Sequence, residues 1–272
     1  MSTRREEILR ELGLTPVWRL RERTPAAATE EPPPAMSAPQ RPAQAATKPQ
    51  SAHAPRAAPK AAAASPPLAD SLDPRAAGIA RMEWPQLKEA VAGCTACPLH
   101  KARNKTVFGV GDENAEWLFV GEGPGAEEDA KGEPFVGQAG KLLDNMLAAI
   151  GLKRGENAYI ANVVKCRPPA NRNPEPLEAA QCEPYLHRQI ALIRPRLIVA
   201  LGKVAAVNLL RREASIASLR GKVLEYRGTP LIVTYHPAYL LRSLPDKSKA
   251  WEDLCFAVET MRGLQNAVTG TT

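Results

Sequence analysis

Cysteines are the side chains in this chain of 272 residues whose spacing most clearly indicates chemistry. Cys94 and Cys97 stand in C-x2-C spacing, and Cys166 and Cys182 have fifteen residues between them. A C-x2-C turn presents two thiolates to one centre, and the fold would have to bring in the second pair. Four thiolates suit tetrahedral zinc or a cubane iron–sulfur cluster, and spacing alone does not separate the two. Cys255, in an apolar helical pattern, is expected to be an ordinary packing residue.

A glycine-rich segment with one carboxylate, GEGPG, occupies residues 121–125. Its glycines would let a ligand approach the main chain closely, and Glu122 could position water or act as a general base. A tight turn with a solvated glutamate is the structural alternative. The segment lacks the third glycine of the dinucleotide fingerprint and has Pro124 where a helix would begin, which disfavours a nicotinamide enzyme.

Two further residues have side chains suited to a flat, polar ligand. Phe135 lies in the loop EPFVGQAG, where it is either a lid over the core or a plate on which a ring can stack. Asn162 interrupts an apolar run, where an unpartnered carboxamide would be costly to bury. Its amide can donate and accept at once, which matches the edge of a pyrimidine, although a neighbouring main chain could equally satisfy it.

His236 begins the segment HPAYLLR, which ends with Arg242. A histidine at the end of a strand stands where parallel sheets bind their ligands. The residues Tyr239, Leu240 and Leu241 beside Arg242 are the kind of apolar wedge that enters a DNA groove and opens a base step. An ordinary amphipathic helix start is the alternative.

Four short apolar runs would position these side chains. They cover residues 117–123, 158–164, 196–202 and 231–236, and they alternate with helical patterns, the longest at residues 176–193 and 246–264. Short apolar strands separated by helices predict an α/β fold with a parallel sheet covered on both faces. Ligands of such sheets bind beyond the carboxyl ends of the strands, so the polar segments described above should meet there.

The beginning of the chain has a different composition. Twelve of the 26 prolines lie between Pro25 and Pro74, in an Ala/Pro-rich stretch with almost no β-branched or aromatic residues. Such a stretch cannot bury enough apolar surface to offset the entropy of ordering it. The expected organisation is a short amphipathic helix within residues 1–24, a disordered linker over 25–77, one folded domain over 78–264 and a disordered tail over 265–272.

Charge and hydropathy exclude some classes of protein. The net charge of +7 permits binding to nucleic acid without requiring it. The sequence contains no run of about eighteen apolar residues, so no membrane span is predicted. The charged N-terminus does not resemble a secretory signal. The expected location is therefore cytoplasmic. A helix as short as the N-terminal one is marginal alone, so it could dock an unknown protein partner.

The motifs together resemble the family 4, iron–sulfur-containing uracil-DNA glycosylases. The resemblance covers residues 94–261 and consists of C-x2-C, GEGPG, PFVGQAG, N-x3-C-R-P-P with a cysteine fifteen residues later, and HPAYLLR. It implies the uracil-DNA glycosylase fold, a three-layer α/β/α arrangement with a four-stranded parallel central sheet. It also implies a [4Fe–4S] cluster on Cys94, Cys97, Cys166 and Cys182.

The resemblance further implies an activity and a role for each motif residue. The activity is hydrolysis of the bond between uracil and deoxyribose in single- or double-stranded DNA, by a monomer that starts base excision repair. Glu122 would position or activate water, with Glu128 as a supporting acidic residue. The base would lie against the main chain of Gly123 and under Phe135. Asn162 would read its O4 and N3 edge, and His236 would donate to O2.

Two other functions are kept as alternatives. One is a protein that binds uracil-containing DNA, covalently or not, without turnover. Related proteins that join covalently to DNA carry a basic KRRIH-type insertion, and the segment EPFVGQAGKLLDN continues without one, which favours turnover. The other alternative is a zinc-stabilised scaffold that the N-terminal helix ties to a DNA polymerase. It leaves GEGPG and HPAYLLR without a role.

Overall fold

A computed structural model describes residues 73–269 of the chain. The predicted N-terminal helix, nearly all of the predicted linker and the last three residues lie outside the described residues. No helix in the described part is both long and apolar enough to cross a membrane.

The described chain is built on a six-stranded sheet. Its strands are β1 (Val110–Gly111), β2 (Trp117–Gly121), β3 (Ala158–Asn162), β4 (Leu197–Leu201), β5 (Leu224–Tyr226) and β6 (Thr229–Thr234). They lie in the order β1-β3-β2-β4-β6-β5. The four central strands are parallel, and the two edge strands are antiparallel to their neighbours. The predicted four-stranded parallel sheet is thus confirmed as the centre of a larger mixed sheet.

Helices cover both faces of the sheet. They are α1 (Pro74–Ile79), α2 (Trp84–Ala92), α3 (Ala126–Lys131), α4 (Gln138–Ala149), α5 (Pro176–Ile193), α6 (Lys203–Leu210), α7 (Ile216–Leu219), α8 (Pro237–Leu240) and α9 (Asp246–Thr269). Two single 3-10 turns, Pro98–Lys101 and Pro169–Asn171, lie in the connections. This confirms the predicted three-layer arrangement.

The alternation of side-chain direction along the strands explains why the sheet has an apolar core on each face. In β2, Leu118 and Val120 pack in one apolar cluster with residues of α2, α5 and α6. Trp117 and Phe119 point to the other face and pack with residues of α4 and α9. Because successive side chains of a strand point to opposite faces, a run that is apolar throughout must be covered on both sides.

The two antiparallel edge strands were not predicted from the sequence. β1 has only two residues, and β5 forms a hairpin with β6. Neither presents the continuous apolar run that marks a central strand. The central strands also end earlier than expected, so Gly123, Val164 and His236 lie in the loops that follow them rather than in the strands.

Both predicted ends of the folded domain need correction. Helix α1 lies mostly within the stretch expected to be a linker, where the Asp73 side chain accepts from the Arg75 amide and Arg75 donates to the Gln181 carbonyl. Helix α9 continues past residue 264 into the predicted tail, and Gln265 donates to Glu116 there. These contacts join segments far apart in sequence, which local composition does not reveal.

Candidate active site

A cleft of about 460 Å³ opens at the carboxyl ends of the parallel strands. It brings together most of the residues singled out from the sequence, namely Glu122, Gly123, Glu128, Phe135, Asn162, His236, Tyr239 and Arg242. These residues come from segments more than one hundred positions apart, and the parallel topology makes them neighbours. Leu240 and Leu241 are not among the residues that line the cleft.

The packing of residues that line the cleft depends on a glycine at position 121. This residue ends β2 and pairs in register with Asn162 at the end of β3. A Cβ atom at position 121 would lie 2.5 Å from the carboxamide oxygen of Asn162 and 2.5 Å from the ring of Phe135. Glycine therefore allows the carboxamide and the aromatic ring to pack side by side.

Asn162 has a polar atom that the protein leaves unused. Its side chain is buried, with 1% exposure, and its Oδ1 atom has no hydrogen-bond partner among the described residues. A buried acceptor without a partner is costly, and such atoms are rare in folded proteins. In a cleft, this arrangement suits a ligand that brings an N–H or O–H group to the oxygen.

His236 is held as a neutral hydrogen-bond donor. It caps the N-terminus of α8, and its Nδ1 accepts from the amide of Ala238 at 3.1 Å. The proton of the neutral ring must then be on Nε2. Burial, assisted by the positive charge of Arg242, lowers the pKa of His236 to about 4, so the ring is uncharged at neutral pH. Its ring lies 5.5 Å from that of Phe135, at an angle of 31°.

Glu122 is the carboxylate that follows β2 directly. Its main-chain oxygen accepts from the amide of Val164 at 3.2 Å, which fixes the segment beside the loop after β3. Burial raises the pKa of the Glu122 carboxyl above its ordinary value. A carboxylate that is partly shielded from water is a stronger proton acceptor than an exposed one, which suits a general base.

Glu128 braces the loops rather than presenting a free carboxylate. One carboxylate oxygen accepts from the amide of Gly125 at 3.1 Å. The other accepts from the amides of Val136 and Gly137 at 3.0 and 3.1 Å. Glu128 thus ties the GEGPG segment to the loop that carries Phe135, and its supporting role remains a prediction.

Arg154, which the sequence did not single out, holds Phe135 in place. Its guanidinium donates to the carbonyls of Pro134 and Phe135, both at 2.8 Å, and pairs with Asp144 at 2.8 Å. Phe135 has a φ of 54°, a left-handed conformation that is unfavourable for a residue with a side chain. Arg154 lies nineteen residues from Phe135 in sequence, and no local pattern links the two.

The segment after His236 differs from its predicted role at one position. Tyr239 and Leu241 are 39% and 41% exposed, and Arg242 lines the cleft. Leu240, in contrast, is 1% exposed and packs in an apolar cluster with Met146, Ala250 and Leu254. The prediction that Leu240 enters a DNA groove is therefore wrong for this structure, because helical spacing turns that residue towards the core.

A second wall of the cleft was missed in the sequence. Pro168, Asn171, Arg172 and Asn173 line it, immediately after Cys166. The Arg172 guanidinium makes two hydrogen bonds to Glu178, at 2.8 and 2.7 Å, and so anchors this wall to the start of α5. The motif C-R-P-P-x-N-R marks this segment, although its side chains carry no catalytic signature of their own.

The four predicted ligand cysteines line one small cavity, to which the same loop contributes Cys166. Cys94, Cys97, Cys166 and Cys182 border it together with Arg103 and Lys165, and all four are free thiols. Cys255 does not line it. Among the described residues, no group of three or more Cys, His, Asp or Glu side chains is arranged to hold a metal ion.

Charge around the cysteine cavity is one-sided. Arg103 donates to Cys166 Sγ at 3.1 Å, and Arg75 donates to Cys94 Sγ at 3.7 Å. Burial raises the pKa of the Cys182 thiol to about 12 and lowers the pKa of Lys165 to about 8. Buried thiols surrounded by cationic donors fit a metal–thiolate centre, since a metal stabilises the thiolates that burial alone disfavours.

Comparisons with known proteins agree with this geometry. The profile of the uracil DNA glycosylase superfamily matches residues 108–255, which include every cleft residue, Cys166 and Cys182. A type-4 uracil-DNA glycosylase of Archaeoglobus fulgidus is 52% identical over 159 residues, 56% of this chain and 79% of that protein. The type-4 enzyme of Thermotoga maritima is 48% identical, over 58% of this chain and 82% of that protein. The type-4 enzyme of Pyrobaculum aerophilum is 42% identical, over 64% and 92% respectively.

Proposed function

This chain belongs to the uracil-DNA glycosylase superfamily, and within it to the type-4 enzymes; from this premise we propose that it hydrolyses the N-glycosidic bond of uracil in DNA. The observation that carries the proposal is the unpartnered Oδ1 of Asn162, in the same cleft as the neutral His236. Together these residues offer an acceptor and a donor to a single base. The product is an abasic site, the first intermediate of base excision repair.

Recognition requires the base to leave the double helix, because its reacting bond is inaccessible inside a duplex. In the cleft, Phe135 stacks on the extruded ring and the main chain of Gly123 lies against it. Asn162 Oδ1 accepts from the N3–H of uracil, and its amide group donates to O4. Cytosine has no hydrogen on N3 and presents an amino group in place of O4. Both the oxygen and the amide group of the Asn162 carboxamide would then lack a hydrogen-bond partner.

Hydrolysis breaks the bond between C1′ of the sugar and N1 of uracil. The electron pair of that bond stays with the base, and the negative charge spreads onto O2. His236 donates its Nε2–H towards O2, where it stabilises charge that appears only as the bond breaks. Glu122, in its ionised form, orients a water molecule and takes one of its protons as the oxygen bonds to C1′.

We further propose that Cys94, Cys97, Cys166 and Cys182 hold a [4Fe–4S] cluster. The shared cavity of four free thiols and the cations beside them support this assignment. When bound, the cluster would cross-link the turn after α2, the loop before Pro168 and α5, and the hydrolysis needs no electron from it. Iron and sulfide in anaerobically purified protein test the assignment, and zinc without iron would overturn it.

The function is tested by uracil release from labelled oligonucleotides, single-stranded and double-stranded. Wild-type protein is expected to release uracil in excess over enzyme and to leave alkali-labile sites. Asn162→Ala should remove most of this activity while its thermal unfolding stays close to wild type. Intact DNA after long incubation with cluster-replete protein would refute the proposal. Release limited to one uracil per protein would instead support the non-turnover alternative. Similarity to type-4 uracil-DNA glycosylases does not favour that alternative.

The cellular setting follows from the same proposal. We place the enzyme in the cytoplasm, and we expect it to act as a monomer because residues of one chain line the described cleft. A protein partner for the N-terminal helix remains a prediction about residues outside the described part of the chain.

A further inference from the structure

Lys165 is a buried cation placed between the cysteine cavity and the uracil-reading residue. Its side chain is 1% exposed, and its ammonium group donates to the main-chain carbonyl of Asn162 at 2.9 Å and to Gln189 Oε1 at 2.6 Å. Both acceptors are neutral. In the part of the chain that the structure describes, no carboxylate lies within ion-pair distance of Lys165.

A buried ammonium needs a negative charge nearby, because removal from water disfavours the charged form. The cysteines are groups that can supply one. Lys165 lines their cavity, and its own amide donates to Cys182 Sγ at 3.3 Å. The described residues that line this cavity include no aspartate or glutamate. Thiolates are therefore the available counter-charge.

Two arginines contact other cysteines through their charged side chains, whereas Lys165 contacts Cys182 through its main-chain amide. Arg103 contacts Cys166 Sγ at 3.1 Å, and Arg75 contacts Cys94 Sγ at 3.7 Å. Four thiolates outweigh the positive charge of an iron–sulfur core or of a zinc ion, so the loaded site carries a net negative charge. The three surrounding cations have the opposite charge and therefore stabilise the loaded site.

Lys165 differs from the two arginines because its ammonium group also contacts the main chain of a residue that lines the cleft. The carbonyl that it holds belongs to Asn162, the last residue of β3, whose side chain carries the unpartnered Oδ1. Gln189, its second acceptor, is itself fixed by a hydrogen bond from Nε2 to the carbonyl of Phe108 at 2.9 Å. Any shift of the ammonium would move the strand end that presents the carboxamide to the base.

We propose that Lys165 is a positioning residue that makes base recognition by Asn162 depend on an anionic metal–thiolate centre at the four cysteines. This inference rests on the proposed function of the cleft. The loaded centre holds the ammonium by charge, and the ammonium holds the end of β3. Loss of the centre releases this restraint and weakens the binding of uracil, although every catalytic side chain is still present.

The test compares Lys165→Met with Arg103→Met, which removes a cation from the same cavity without a contact to Asn162. Three quantities are measured: iron per chain during exposure to a chelator, the inhibition constant of free uracil, and the affinity for DNA with an abasic site. Both variants should lose iron faster than wild type. After correction for iron content, Lys165→Met should raise the uracil inhibition constant about tenfold and leave abasic-DNA affinity within about twofold. Arg103→Met should move the inhibition constant much less.

Two results would overturn the proposal. One is a Lys165→Met protein that binds free uracil as wild type does, and the other is an equal loss of uracil and abasic-DNA affinity, which indicates general unfolding. If Lys165→Met does not fold, Gln189→Leu keeps the charge and removes one acceptor. It should weaken uracil binding while iron retention stays unchanged, and unchanged uracil binding would refute the proposal. Wild-type protein that neither binds nor releases uracil would reject the glycosylase function, whereas iron retention would still report on the counter-charge.

Discussion

The cleft and the cysteine cavity share one loop, which contributes Cys166 to the cavity and Pro168 to the cleft, and they differ in their chemistry. The cleft has a volume of about 460 Å³ and contains an unpartnered acceptor and a neutral imidazole. The cysteine cavity has a volume of about 10 Å³, and its polar lining consists of thiols and cationic donors with few other groups. In the function proposed above, the first receives and releases a ligand, and the second retains one. Polar groups left without partners mark the first, and an excess of one charge marks the second.

The largest effect is expected at the retaining site. Cys182→Ser should lower the iron content and the free energy of unfolding, the latter by on the order of 4 kcal/mol, because metal binding contributes folding energy. Denaturant unfolding and iron analysis measure the change. Cys255→Ser, on α9 and outside the cavity, is the control and should be close to wild type. An iron content that is equal in both variants would contradict the assignment of the ligands.

The cleft should respond in activity and hardly at all in stability. His236→Ala removes the donor to O2 and should lower kcat by about 10²- to 10³-fold, with little change in Tm. Single-turnover uracil release and thermal unfolding measure the two quantities. His187→Ala is the control, since His187 pairs with Glu183 at 2.9 Å on α5, away from the cleft. A large loss of Tm in His236→Ala would remove the contrast between the two sites.

Arg154 sharpens the comparison because it restrains the main chain of a residue that lines the receiving site. Arg154→Lys cannot hold two carbonyls and a carboxylate at once, so Phe135 should leave its left-handed conformation more often. We expect kcat/KM for uracil release to fall about tenfold. Arg196→Lys, which alters an ion pair with Glu116 of 3.0 Å, is the matched control. Equal activity of the two variants would show that Phe135 needs no such restraint.

The smallest expected effect is on the pH profile. Burial raises the pKa of Glu122, and the residue acts only when ionised. Activity is therefore full above that raised pKa and falls as the pH decreases through it. Glu122→Gln should remove this acidic limb from the activity that remains. His236 titrates lower, at a pKa of about 4, and does not set the limb. An identical acidic limb in Glu122→Gln would exclude Glu122 as its source.

The sequence predicted the central sheet and most of the cleft because both depend on short-range patterns. Apolar runs indicated the four parallel strands, and the rule that ligands bind beyond the strand ends brought Asn162 and His236 to one site. Arg154 and Lys165 could not be found in this way. Their roles depend on main-chain carbonyls and thiols that tertiary packing brings close, and such contacts leave no periodicity in the sequence.

The error at Leu240 has the same origin on a smaller scale. An apolar pair beside Arg242 was compatible with two exposed wedges, but α8 is a short helix that turns one leucine inward. Composition predicted that an apolar residue would be exposed near the cleft, and Leu241 is such a residue. Only the position of the helix relative to α4 and α9 decides which of the two leucines faces solvent.

Gly121 has a consequence for how this molecule can change over time. Any larger residue there would displace Asn162 and Phe135 together, so one substitution cannot alter the reading of the base without also disturbing the surface on which it stacks. A gradual change in substrate range through substitution of Gly121 is therefore blocked, whichever amino acid replaces the glycine. The wall formed by Pro168, Asn171 and Asn173 also borders the cleft, and new preferences are expected to arise there.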